Sequence, residues 1–178
     1  MKKKLIILIN GKGESDKDIC VDEVNRYYTI CNISSIDPYK QAAYMFGWDG
    51  NKDFRSRKFL SDMKKLSINY NNYPLAFILQ KIESFKSSEA KIMFIHIKEP
   101  EEINKVVNRL EDDNSIIYTT LLIDKPSING YKYGNTSDDN VLEYGYQYTF
   151  KNTYADEVSL RDAFMSFFSS MIIELSKR

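Results

Sequence analysis

Apolar residues crowd into one short run near the start of the chain. Leu5 to Ile9 is continuous and rich in branched side chains, the pattern of a strand buried on both faces. A turn of glycine and polar residues, Asn10 to Asp16, follows it, and Lys17 to Tyr28 then carries Ile19, Cys20, Val24 and Tyr27 at helical spacing. The opening therefore reads strand, glycine-bearing turn, helix. The alternation continues. Thr29 to Ser35 predicts a short second strand. Asp37 predicts a helix cap and Pro38 suits the first helical position, with Ala42, Ala43 and Phe46 continuing until Gly47 to Gly50 breaks the pattern. Lys52 to Tyr70 predicts a long helix with Phe54, Phe59, Leu60, Met63 and Leu66 on one side, and Pro74 to Phe85 another. Lys91 to Ile97 reads as a third strand. Pro100 to Leu110 reads as a helix with Glu101 and Glu102 in its first turn, where the helix dipole favours them. Ser115 to Ile123 and Tyr146 to Phe150 complete the strands. Between those two lies a polar loop of about 18 residues, Pro126 to Glu143, a length usually tied to function or mobility. A last helix opens at Asp156 or Ser159 and carries Leu160, Phe164, Phe167, Phe168, Met171 and Ile172.

Strands separated by helices predict an α/β domain, its mostly parallel sheet of about five strands covered on both faces. With no internal repeat and no linker, residues 1–178 read as one domain. Ligands of such sheets bind at the carboxyl ends of the strands. That directs attention to the residues just after Ile9, Ser35, Ile97 and Ile123.

Composition narrows the partners. Lys plus Arg and Asp plus Glu balance at 25 each, so no large single-sign field favours nucleic acid or an anionic membrane as the main partner. The apolar run after Lys2 to Lys4 is too short for a signal core, and no stretch reaches transmembrane length. A cytoplasmic protein is expected. Cys20 and Cys31 form neither a disulfide framework nor a zinc pattern and read as small core residues in a reducing compartment. The 13 Tyr suit aromatic-lined clefts or interfaces.

The turn after the first strand is the candidate chemistry. A standard phosphate loop reads G-x-x-x-x-G-K-[S/T]. Here the segment is Gly11-Lys12-Gly13-Glu14-Ser15-Asp16-Lys17-Asp18. The first glycine, the spacing and the lysine are present, between a buried strand and a helix. In that setting backbone N–H groups and the helix N-terminus would hold phosphate oxygens, and Lys17 would reach the terminal phosphates. Asp16 stands in place of the second glycine, and Asp18 in place of the hydroxyl that would ligate Mg²⁺. A carboxylate can serve that ion too. At about 5 Å and an effective dielectric near 20, Asp16 would repel each phosphate charge by roughly 3 kcal/mol. An ordinary turn without a ligand is the competing reading.

Several segments together resemble the P-loop kinases related to phage deoxynucleoside monophosphate kinases, a group with relatives in Gram-positive bacteria and prophages. That group carries Gly-Lys-Asp-Thr in the loop. Asp18 matches its Asp, whereas Asp16 and Ile19 depart from its Gly and Thr. Gly47 to Gly50 with Arg57 to Asp62, and Ile95 to Ile103, resemble its nucleotide-region helix and its central strand with the following helix. Relatives tend to have Arg at the Lys98 position. Leu121 to Pro126 resembles a segment where two arginines precede the proline; here these are Asp124 and Lys125. Asn135, Ser137, Asp138 and Asp139, then Tyr144 to Asn152, resemble the end of that domain.

The resemblance implies a three-layer P-loop NTPase fold and ATP-dependent phosphoryl transfer to a nucleoside or nucleotide monophosphate, with Mg²⁺ accompanying ATP. It implies Lys17 and Lys125 as catalytic cations. Gly11, Gly13, Ser15, Asp16, Lys17 and Asp18 would form the phosphate loop, Asp18 would meet the metal, and Arg55, Arg57 and Lys98 would bind the acceptor. Asp16, Ile19 and Asp124 each weaken the positive, positioned surroundings on which phosphoryl transfer relies. A nucleotide- or phosphate-binding module without transfer is therefore the alternative, and an interaction protein on the same scaffold, with a homodimer among the options, a third.

Other residues keep two readings. Arg55, Arg57, Lys58, Lys64 and Lys65 form either an acceptor clamp or a solvated helix face. Trp48 either stacks on a base or fills the core. Glu99 either positions magnesium-bound water or substrate, or caps the next helix. His96, the single histidine, reads as a buried strand residue, and Asp138-Asp139 as solvated turn residues.

Overall fold

The computed structural model describes residues 3–51, 53–128 and 140–177. Asn135, Ser137, Asp138 and Asp139 of the expected domain end lie outside them. The chain runs β1 (Lys4–Asn10), α1 (Lys17–Asn25), β2 (Ile30–Ser34), α2 (Asp37–Met45), α3 (Phe54–Asn71), α4 (Tyr73–Ser87), β3 (Ile92–His96), α5 (Pro100–Leu110), β4 (Ile116–Asp124), β5 (Tyr148–Lys151) and α6 (Glu157–Leu175). The five strands form one sheet in the order β2-β3-β1-β4-β5, and every pair is parallel.

Successive side chains of a strand point to opposite faces. Leu5, Ile7 and Ile9 accordingly pack on one side with α1 and α6, through Cys20, Val24, Phe164 and Phe168. Ile6 and Leu8 pack on the other with α4 and α5, through Ile78, Ile82, Ile103 and Val106. A third, small cluster joins α2 to α3 through Tyr39, Ala43 and Leu60. This is a three-layer α/β arrangement.

The elements follow the sequence expectation closely, with local differences. Asp37 is the first residue of α2 rather than its cap, and its Oδ2 accepts the Ser34 N–H at 2.7 Å. The carboxylate therefore closes the turn between β2 and α2. The expected loop after β4 is entered by a 3-10 turn, Pro126–Ile128, and left by another, Val141–Glu143. Val141 is buried there, while Leu142 and Glu143 remain exposed. The aromatic residues of α6 face the core: Phe164 and Phe168 are buried with Met171, and Phe167 packs against them. Cys20 is buried and Cys31 half-buried, both as free thiols.

Glu23 is a buried charge on this face. It accepts from Arg26 at 3.0 Å and Arg161 at 2.9 Å, tying α1 to α6. Burial alone would raise its carboxyl, but the two guanidinium hydrogen bonds outweigh that and hold it below the usual range.

Phe164 meets Phe150 edge-on at 5.2 Å and Phe168 at 5.9 Å between ring centroids. Phe164→Ala is expected to cost about 3–5 kcal/mol of stability, read by chemical denaturation.

Candidate functional site

β1 lies in the middle of the sheet, so the chain leaving it emerges between two strands and two helical layers. Asn10 ends the strand. Its Nδ2 donates to the Lys98 carbonyl at 3.0 Å and the Tyr146 hydroxyl at 2.7 Å, while its Oδ1 accepts the Gly11 N–H at 2.8 Å. One amide thus joins the exits of β1 and β3 and the approach to β5. Gly11 follows where no side chain fits: a Cβ would sit 2.9 Å from the Ile123 carbonyl and closer still to Ser15 Oγ. The turn closes with a Ser15 N–H to Lys12 carbonyl bond of 3.2 Å. Glu14 and Asp16 both take left-handed backbone, φ 65 and 63. That conformation favours glycine, and Asp is among the residues that tolerate it.

Asp16 caps α1 with its backbone, while its carboxylate turns elsewhere. Oδ2 accepts from Lys125 Nζ at 2.6 Å and Asn152 Nδ2 at 2.9 Å. Asn152 is buried, donates also to the Ser15 carbonyl at 3.2 Å, and its own N–H bonds the Asp124 carbonyl at 2.6 Å. The turn is therefore clasped to the ends of β4 and β5. The charge expected to repel phosphate has a cationic partner in Lys125. Lys125 in turn is engaged with Asp16 and lines a second cavity with Asn152 and Tyr154.

The main cavity lies at the carboxyl ends of β1, β2 and β3 and holds about 410 Å³. Gly13, Lys17 and Asp18 enter it from the turn, Asn32, Ser35 and Asp37 from the end of β2, and His96, Lys98 and Glu99 from the end of β3. Trp48, Arg57 and Lys64 close it from the α2–α3 side. Of the sequence-predicted residues, Gly13, Lys17, Asp18, Arg57 and Lys98 are brought together here. Gly11 and Ser15 are buried inside the turn instead, and Ser15 Oγ has no hydrogen-bond partner among the described residues. Arg55 is exposed and off the cavity, since two steps along a helix carry it roughly to the opposite side from Arg57. Lys17 Nζ lies 3.8 Å from Asp18 Oδ1. Trp48 is half-buried at the cavity wall, its ring tilted against Tyr44 at 4.9 Å between centroids, with its indole N–H given to the Asn51 carbonyl at 2.9 Å.

Three participants stand differently from their sequence reading. Lys64, read from sequence as part of either an acceptor clamp or a solvated helix face, is buried and donates to Glu99 Oε2 at 2.5 Å and Ser35 Oγ at 3.0 Å. Its position gave a signal: with Leu60 and Met63 it shares the apolar stripe of α3. Asn152, after an alternating strand, carried none. His96 is a cavity residue as well as a strand residue, its Nε2 2.8 Å from Asn32 Oδ1.

Among the described residues no group of three or more His, Cys, Asp and Glu could hold a metal ion, and no helix is long and apolar enough to cross a membrane. No family model matches the chain, and no curated protein matches it. Among solved structures it is similar to the crystal structure of TT1252 from Thermus thermophilus. That likeness has a TM-score of 0.51 at 18% identity and covers 98% of this chain and 99% of that one. It bears on the fold, over the whole chain.

Burial, with Lys17 nearby, lowers the His96 imidazole from 6.5 to about 4. The unfolded chain then binds the extra proton between those values, so stability falls as pH drops below 6.5 and levels out near 4. His96→Gln should therefore flatten the melting temperature between pH 7 and pH 5, about where carboxylates contribute least, relative to the wild type. An unchanged slope would mean that His96 titrates normally.

Proposed function

We propose that this chain is a kinase-like protein of the P-loop type that binds ATP with Mg²⁺ and transfers its terminal phosphoryl group to a nucleoside or nucleotide monophosphate. The observation that carries the reading is the glycine-bearing turn at the exit of the central strand, which delivers Lys17 and the start of α1 to a 410 Å³ cavity that Arg57 and Lys98 also line. Backbone N–H groups at that turn and the positive end of α1 would meet donor phosphates, with Lys17 beside the terminal ones. Arg57 and Lys98 would face the acceptor.

The metal fits on one residue. Asp18 is an exposed carboxylate on the same cavity as Lys17. Mg²⁺ at nucleotide sites is commonly held by one or two carboxylates, phosphate oxygens and water, so a single hard oxygen ligand is compatible with it. When bound, the ion would neutralise phosphate charge during transfer.

Binding without transfer is the second reading, favoured by the engagement of Lys125 with Asp16, which draws one expected catalytic cation away from the main cavity. Turnover separates the two. A coupled assay with ATP·Mg²⁺ against a panel of nucleosides and nucleoside monophosphates is expected to give product with at least one acceptor. Calorimetric binding of ATP·Mg²⁺ without any product would select the second reading.

Lys17→Ala is expected to weaken ATP·Mg²⁺ at least about tenfold in the same calorimetry, the loss of a charge-assisted contact. Full binding in that variant would remove the loop as the site.

Asp16→Gly is expected to tighten ATP·Mg²⁺ by about tenfold, because a negative charge leaves the mouth of the loop and Lys125 is released. Glycine also accepts the left-handed backbone there. Unchanged affinity would mean that phosphates do not lie beside residue 16.

A further inference from the structure

The face of α3 turned away from the cavity carries large apolar side chains in solvent. Phe59 is 38% exposed, Leu66 70% and Tyr70 88%. Phe46, at the end of α2 and 75% exposed, meets Phe59 edge-on at 6.3 Å between ring centroids. Tyr39 bonds Ser67 while Phe46 meets Phe59, so α2 runs antiparallel along α3 and Phe46 flanks the same face. These four residues leave roughly 500 Å² of largely apolar surface in water, near the top of the range for the largest patch on a monomer. Arg55, Phe59, Asp62 and Leu66 follow one another at i, i+4, i+7 and i+11, which places them on one side of the helix. Arg57 and Lys64, which line the cavity, lie across the helix from Phe59. Arg55 is exposed and has no ion-pair partner among the described residues, and the Asp62 side chain, 49% exposed, meets Lys58 at 2.6 Å.

We propose that this face is a two-fold interface between copies of this chain, with α3 packed antiparallel on α3 of a second copy. Charge selects that occupant. The stripe has a base one turn before Phe59 and an acid one turn after it. A partner helix carrying a single sign of charge would be repelled by one of the two. An antiparallel second copy centred near Phe59 sets each Arg55 against Asp62 of the other copy, the reciprocal pairing that a two-fold axis requires. The same register brings the two Phe59 rings together at the axis. Leu66, about 10 Å further along the helix, then reaches the end at which Phe46 of the second copy stands. Lys58 and Lys65 stand farther round the helix in solvent, outside the stripe. Acidic and basic residues balance at 25 each, so two copies meet without net repulsion. Two such patches come to about 1,000 Å² before any rim is counted, the size at which a specific interface becomes sustainable. The proposal is independent of the phosphate chemistry of the cavity, and it gives Arg55 a counter-charge that its own chain does not supply.

Sedimentation equilibrium of the full chain at low salt tests it. The wild type is expected to be a reversible dimer with a Kd in the micromolar range. Phe59→Glu and Leu66→Glu are each expected to weaken the dimer at least about thirtyfold, the loss of a central anchor. Asp62→Arg and Arg55→Asp each set like charges against one another and should weaken it about tenfold, less at high salt. Arg55→Asp combined with Asp62→Arg restores opposite charges across the axis, and its affinity should return to within about threefold of the wild type. Thermal melts followed by circular dichroism check that each variant folds. Leu66, the more exposed of the two anchors, carries the apolar arm should Phe59→Glu unfold. A wild type that is monomeric at about 100 µM overturns the proposal and leaves the face to a different protein. So does a dimer that survives both apolar substitutions, one indifferent to the single charge reversals, or a double reversal as weak as the two single ones combined.

Discussion

The double-sided burial of β1 governs the rest of the molecule. Leu5 to Ile9 are each at most 1% exposed, with neighbours on both edges and helices on both faces. A strand so enclosed has one way out at its carboxyl end, and the backbone must turn there without a water-filled loop to satisfy it. Asn10 supplies the hydrogen bonds, Gly11 the close approach to Ile123, and α1 begins as soon as the chain clears the sheet. The turn lies beside the exits of β3 and β4 because the strand order places β1 between them. A cavity at that edge is a consequence of the topology, and its lining depends on which residues end the neighbouring strands.

Charge at this edge is arranged in pairs. Lys17 lies near Asp18, Lys40 bonds Asp37, Lys64 bonds Glu99, and Lys125 bonds Asp16. Four bases at this edge are thus each matched to an acid. An anionic ligand has to exchange some of these contacts for its own, so its net affinity is a difference between two sets of interactions. The pairs are unequal in this respect. Lys17 and Asp18 are separated by 3.8 Å, with Asp18 largely in solvent, whereas Lys64 is buried and held at 2.5 Å. Exposed pairs contribute little and yield easily, while a buried pair resists separation. The turn end of the cavity can adapt to a ligand; the Lys64–Glu99 end acts as a fixed wall.

Strand and helix content was legible because burial dictates periodicity. The continuous run at β1, the stripe of α6 and the proline starts of α4 and α5 all fell where patterning predicted. So did the turn that brings Lys17 to a cavity, because its position follows from local order alone. Arg55 and Arg57 illustrate where legibility ended. Two residues apart, they look equivalent as charges, yet the packing of α3 turns one to the cavity and the other to solvent.

By itself the sequence determined the alternation of strand and helix, the double-sided burial of the first strand and the glycine-bearing turn, since each depends on residues adjacent in the chain. Only the tertiary structure decided the partners of the charges. Asp16 meets Lys125 and Asn152 from 109 and 136 residues away, and Lys64 meets Glu99 across 35. Such contacts are set by how the sheet edges and helices come together, and a side chain of either sign looks the same in sequence whether it faces water, a ligand or its opposite. Charge pairing at a sheet edge is a property of distance in space, and the parallel topology makes those distances short for residues far apart along the chain.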